Sequence, residues 1–255
     1  MTEDWKRSGC PPQSGSYGVE FVGTNERFYN QAGRKIIVTG HYGSGKTEFA
    51  VSLAMRIKAR EPGKLALIDL DIVNPYFRSR ERRDILEQAG IPVYGSVFDM
   101  EVTAELPALG ADARAPLEDG GCRVIIDAGG NDSGALVLNQ FGKYFFDDTT
   151  VLAVVNANRP DTGTLGGALE HIAAIENVTG LTVTGIVNNC HLLRETTAGT
   201  VIKGHELCIK VCESTGRQLW CDCYPEGIVS PDDLSGIDGN LMPLGLYMRP
   251  TWLDR

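Results

Sequence analysis

Gly40-His-Tyr-Gly-Ser-Gly-Lys-Thr47 carries the spacing G-x-x-x-x-G-K-[ST]. Each residue type in it has a physical job. The glycines let consecutive backbone N–H groups turn inward and cradle a phosphate. A helix starting straight after the loop points its free N–H groups and positive dipole end at the same anion. Lys46 adds a charge that reaches the β- and γ-phosphates, and the Thr47 hydroxyl can ligate Mg²⁺. Gly40, His41, Tyr42, Gly43, Ser44, Gly45, Lys46 and Thr47, with Glu48 behind them, are therefore the candidate segment for a nucleoside triphosphate with Mg²⁺.

The motif means this only between a strand and a helix. Lys35-Ile-Ile-Val-Thr39 is a short β-branched run, as a buried strand should be. Downstream, Phe49, Leu53 and Ile57 recur at helical spacing before the breaker Glu61-Pro-Gly63. Both conditions hold.

The alternation continues along the chain. Strands are expected over 35–39, 64–69, 122–127, 149–156, 182–188 and 218–223, and helices over 46–60, 79–89, about 134–146, 163–177 and 200–215. Apolar strands separated by helices predict an α/β fold, a doubly wound and mostly parallel sheet covered on both faces. In such sheets ligands sit beyond the carboxyl ends of the strands. Residues 1–33 are rich in Gly, Ser and Pro without periodicity and read as a flexible tail, with Phe21, Val22, Phe28 and Tyr29 as its groups able to dock. Residues 34–255 read as one domain.

Polar residues collect at the expected strand ends. The second strand runs into Asp69-Leu-Asp71, two carboxylates suited to the outer shell of Mg²⁺ and to orienting an attacking water. The third ends Asp127-Ala-Gly-Gly130. Its acid can support the metal, and the D-x-x-G spacing lets the Gly130 N–H sense a γ-phosphate. The fifth ends at Asn188-Asn189, whose amides offer the donor and acceptor that a purine edge needs. The guanine-reading sequence Asn-Lys-x-Asp is absent, which favours ATP over GTP.

Composition narrows the partners. The 255 residues carry a formal net charge of −9, which argues against broad nucleic-acid or anionic-membrane binding. Arg78, Arg80, Arg82 and Arg83 form a local basic run that reads as a solvated helix face. No apolar run approaches the ~20 residues of a membrane span, and no charged-then-apolar leader is visible. The cytoplasm is the expected location, and the seven cysteines are expected to be thiols. Cys208 and Cys212 share a helix face, and Cys221 and Cys223 a strand face. They read as small buried hydrophobes, with a zinc or iron–sulfur site as the alternative, Cys221 and Cys223 being its candidate ligands. The four histidines show no shared ligand spacing.

Together the loop 40–47, Ile68–Asp71, Asp127–Gly130, Val151–Pro160 and Ile186–Asn189 resemble the MinD/ParA-like branch of the P-loop ATPases, the SIMIBI class, which includes metal-cofactor maturation ATPases. Leu67–Arg80 and Leu246–Trp252 also resemble a smaller group of bacterial ATP-binding proteins in that superfamily. The resemblance implies a P-loop NTPase fold and a slow, Mg-dependent ATPase acting as a regulatory or maturation switch, with a protein partner and a homodimer around the nucleotide. It implies that Lys46 and Asp71 are catalytic, Asp71 by orienting water. Thr47, Asp69 and Asp127 would hold Mg²⁺, and Asn188 or Asn189 would lie near adenine. A small-molecule kinase or ATP-dependent synthetase, a GTPase metallochaperone and a nucleotide-sensing module are the rival readings. The chain departs from the family at His41, where members of the deviant type carry a second lysine. A neutral imidazole supplies no permanent positive charge there at pH 7.

Overall fold

The computed structural model describes residues 26–71, 83–95, 111–130, 132–145, 147–237 and 240–248. Its centre is one eight-stranded sheet, ordered β3-β2-β4-β1-β5-β6-β7-β8, in which every pairing is parallel. The strands are β1 (Lys35–Thr39), β2 (Lys64–Asp69), β3 (Val93–Gly95), β4 (Cys122–Asp127), β5 (Thr149–Val155), β6 (Gly185–Asn188), β7 (Gln218–Pro225) and β8 (Leu241–Leu244). The expected "mostly parallel" sheet is thus wholly parallel among the described residues.

Burial on both faces explains why the sequence shows continuous apolar runs. β1 is buried at all five positions, and β2, β4 and β5 are buried over nearly their whole length. One face packs Ile37, Ile126, Val151 and Ile186 against helices α6 (Leu165–Thr179) and α7 (Ala198–Thr215). The other packs Ile36, Val38, Leu67 and Val154 against α2 (Lys46–Arg60). Helix α1 (Glu26–Asn30) closes this second layer, with the Phe28 ring 6.1 Å from Phe49 and 5.2 Å from Trp220. Residues 26–33, expected to belong to the tail, are therefore folded onto the domain. Phe21 and Val22 lie outside the described residues.

Two strands escaped the sequence reading, β3 and β8. Both are sheet edges of three and four residues, too short to show a period. β8 also contains Pro243, which an edge strand tolerates and a central strand does not. The helix expected near 79–89 appears as α3 (Arg83–Gln88), and residues 79–82 of it, with Arg78, Arg80 and Arg82, lie outside the described residues. Arg83 makes an exposed pair with Glu87 one turn on, at 3.9 Å. The short helix α4 (Ala115–Glu118) precedes β4, and the segment expected as a helix over 134–146 is the four-residue α5 (Asp132–Ala135), followed by a 3-10 stretch, Leu136–Tyr144.

Helix starts differ in a way that matters for function. Thr164 caps α6, and Thr197 forms a capping box with Thr200 at α7. At α2 the cap is Gly45, in the left-handed region at φ 79°, a residue with no side chain to bond the orphan N–H groups. Among the described residues, no helix is long and apolar enough to cross a membrane.

Candidate functional site

β1 lies between β4 and β5, so the loop that follows it opens at the middle of the sheet's carboxyl edge. Gly40 to Gly45 turn over that edge, with Gly43 and Gly45 at φ 73° and 79°. Positive φ at both positions is the reason for glycine. The turn is closed by Ser44 N–H donating to the His41 carbonyl at 2.9 Å. Gly130 packs beneath it, since a Cβ there would meet the Gly40 carbonyl oxygen at 2.3 Å.

Strand register brings the acids together. β2 and β4 pair so that Asp69 lies directly beside Asp127. β2 ends at Asp69, and the Asp71 N–H folds back to donate to the Asp69 carboxylate at 3.1 Å. Lys46 leaves the first turn of α2 and donates from Nζ to Asp71 Oδ2 at 2.6 Å, both side chains being at most 5% exposed. Burial alone would pull the Lys46 ammonium down, but Asp127, Asp71 and Asp69 outweigh it and raise its pKa. Asp127 is pushed up to about 8, first by burial, with Asp69 and Asp71 adding and Lys46 opposing. Neither Asp127 oxygen has a hydrogen-bond partner of good geometry, and the neighbouring Thr47 hydroxyl favours its charged form.

Those two orphaned oxygens beside Thr47 test the expected metal. A buried carboxylate without partners is costly unless a cation or donor arrives. Among the described residues no group of three or more His, Cys, Asp or Glu forms a closed metal cage. Mg²⁺ does not need one, because it keeps waters and takes one or two carboxylates plus substrate phosphates. Thr47, Asp127 and Asp69 fit that donor set.

Several expected residues stand elsewhere. The Asn188 amide is spent inside the core, donating to Val201 O at 3.0 Å and Asp222 Oδ1 at 2.7 Å, while its oxygen accepts from Cys190 N–H. It is fully buried, and its amide, expected as one of two candidates beside the base, is engaged by these core partners. Asn189 instead donates to the Ser44 carbonyl at 2.8 Å and holds the phosphate loop. The Glu48 carboxylate, expected near nucleotide, accepts the N–H groups of Tyr247 and Met248. It ties the carboxyl-terminal segment to the start of α2. Tyr42 is 57% exposed at the loop tip. His41 Nε2 lies 3.4 Å from Asp161 and its ring is T-shaped on His171.

The four cysteines do not converge. Cys208 and Cys212 pack on one face of the sheet, Cys221 and Cys223 on the other. The latter sulfurs are 3.9 Å apart and fully buried, and burial pushes the Cys221 and Cys208 thiols well up. Raised thiol pKa values at Cys208 and Cys221, and burial of all four side chains among apolar neighbours, make packing groups of them.

Two residues near the loop were given no role by the sequence. Arg159, on the turn after β5, donates from Nε to the Gly43 carbonyl at 2.7 Å. His191 lies against Gly45, where a Cβ would be 3.0 Å from its Nε2, and burial followed by Arg159 lowers its pKa to about 4. Only the string Val151–Pro160 pointed near Arg159, and it named no function for it.

No protein-family model matches the chain, and no curated protein does either. Solved structures do. The cell division protein FtsY of Thermotoga maritima superposes with a TM-score of 0.50 at 20% identity, over 72% of this chain and 59% of that one. Chloroplast FtsY of Physcomitrella patens gives 0.51 at 18% identity, over 79% and 62%. FlhF complexed with GTP/Mg²⁺ gives 0.47 at 16% identity, over 73% and 64%. The fold is that of the P-loop NTPases. This chain spans about three-fifths of the length of these neighbours.

Proposed function

We propose that this protein binds Mg·ATP on the loop Gly40–Thr47 and hydrolyses it slowly, as a nucleotide switch of MinD/ParA type that acts on a protein partner. The observation that carries the reading is the buried quartet of Lys46, Asp71, Asp69 and Asp127 beneath an uncapped helix start.

Lys46 is held by Asp71. An arriving triphosphate offers Lys46 a stronger anionic partner and frees the Asp71 carboxylate to orient a water for in-line attack. Thr47, Asp127 and Asp69 would hold Mg²⁺, which when bound spreads the charge developing on the phosphoryl oxygens. The N–H groups at the start of α2 bind the phosphate chain directly, since the cap residue Gly45 has no side chain to occupy them. Gly130 sits under Gly40, where a shift in the loop is felt by the Asp127–Gly130 segment.

Base choice rests on the sequence after β6. Counted from Asn188 or from Asn189, the fourth residue is His191 or Leu192, so neither register offers a carboxylate to the two N–H donors of guanine. His41 is engaged within its own chain by Asp161 and His171, which supports a site completed without a lysine from a second copy. Lys46→Ala tests the assignment. Loss of nucleotide binding and turnover is expected, and unchanged ATP affinity and hydrolysis would sink it.

A further inference from the structure

Two side chains grip consecutive peptides of the phosphate loop from outside. Asn189 takes the Ser44 carbonyl at 2.8 Å, and Arg159 takes the Gly43 carbonyl at 2.7 Å. In a trans peptide the N–H points opposite the C=O. Holding the Ser44 oxygen outward therefore aims the Gly45 N–H into the loop. Holding the Gly43 oxygen fixes the neighbouring peptide, whose Ser44 N–H closes the turn on His41. Gly43 and Gly45 both have positive φ and no Cβ, so these are the peptides that would otherwise flip most easily.

Arg159 is delivered by a turn that is itself rigid. Its N–H donates to Asn156 O at 3.1 Å, and Thr162 N–H returns to Arg159 O at 3.2 Å. The Thr162 hydroxyl also donates to Asn156 O, at 3.1 Å. Gly163 packs so tightly that a Cβ would lie 2.8 Å from the Arg159 carbonyl oxygen. The guanidinium then lies hard against Gly43, where a Cβ would meet its Cζ at 2.7 Å. Among the described residues the Gly43 bond is the hydrogen bond its side chain makes, so a permanent cation stands half-buried against an anion cradle.

We infer that Arg159 is a positioning residue of the nucleotide site, which pins the Gly43 peptide and so preorganises the phosphate loop for di- and triphosphates alike. The inference rests on the reading of the loop as a nucleotide site. A loop fixed before the ligand arrives loses less freedom on binding, so the effect is on affinity. Once bound, the phosphate itself holds the loop, and the chemical step is unaffected.

The test uses the full chain and its variants Arg159→Gln, Arg159→Lys and Lys46→Ala, with Mg·ATP and Mg·ADP titrations, saturated turnover and thermal melting. Loss of a charge-assisted hydrogen bond predicts dissociation constants about 10- to 100-fold weaker in Arg159→Gln, for ATP and ADP equally. Saturated turnover and the melting temperature of the empty protein stay near the parent's, and Arg159→Lys recovers part of the affinity. Parent-like affinity in Arg159→Gln overturns the inference, as does equal weakening in Gln and Lys variants with a lowered melting temperature. If the parent binds and Lys46→Ala does not, such a result condemns Arg159 alone. A parent chain that binds neither nucleotide removes the site reading and this inference with it.

Discussion

Replacing Lys46 by Met keeps the length and packing of the side chain and removes its charge. The Asp71 carboxylate then loses an ammonium at 2.6 Å in a place where both groups are almost fully buried. Removing one partner of such a pair costs about 3–5 kcal/mol, a third or more of a typical domain's stability. The loss should depend on pH, and the sign follows from the acids. Asp69, Asp71 and Asp127 lie together, and Asp127 is already pushed up to about 8 by burial first and the other two carboxylates next. Without Lys46 the folded state holds protons that the unfolded chain releases above its ordinary carboxylate range, so stability falls as pH rises. The intact Lys46, whose folded pKa is raised above 10.5, keeps its own proton across this range, so the change with pH comes from the acids, and the lysine's contribution is lost through its own titration only above that value. Urea unfolding followed by far-UV circular dichroism, under reducing conditions, should show the full deficit of Lys46→Met at pH 8 and less than about half of it at pH 5. The double variant Lys46→Met/Asp71→Asn should recover much of the loss at pH 8. A Lys46→Met protein as stable as its parent at pH 8, or a deficit that does not change with pH, would refute the electrostatic reasoning.

Other outcomes follow from the same geometry. Asp127→Asn removes a carboxyl held protonated to about pH 8. The parent should lose up to about 1.4 kcal/mol per pH unit between pH 4 and 8 through this group, and denaturation of the nucleotide-free variant should show a flatter profile and higher stability at the upper end. Asp71→Ala should keep ATP binding and lose hydrolysis, and a single-turnover assay showing parent-like cleavage would remove Asp71 from the water-orienting role. At Gly204 a Cβ would lie 2.2 Å from both Asn188 Oδ1 and Cys190 Cβ. Gly204→Ala should therefore cost about 3 kcal/mol by forcing α7 away from β6, visible as a lowered melting temperature.

The central half of the fold was written in residue types. Strands β1, β2 and β4 match their expected bounds because buried parallel strands must be continuous apolar runs. The edges were not legible: Val93–Gly95 and Leu241–Leu244 are strands because a neighbour completes them, which short segments do not announce. The phosphate loop was legible because its glycines and lysine have local reasons to be where they are. Asn188 and Asn189 show the opposite case. The two adjacent amides looked alike in sequence, yet strand alternation sends one to Asp222 and the other to Ser44. Arg159 was invisible for the same reason, since its partner Gly43 is 116 residues away. Glu48 could not be told from a phosphate-facing residue until the segment carrying Tyr247 was seen to fold back on it.

A calorimetric titration of the parent chain and Lys46→Ala with Mg·ATP and Mg·GTP tests the central claim most directly. Saturable binding of Mg·ATP, tighter than Mg·GTP and abolished in Lys46→Ala, is the predicted result. Tighter binding of GTP would contradict the assignment of ATP. No binding of either nucleotide to the parent would contradict the reading of Gly40–Thr47 as a nucleotide site.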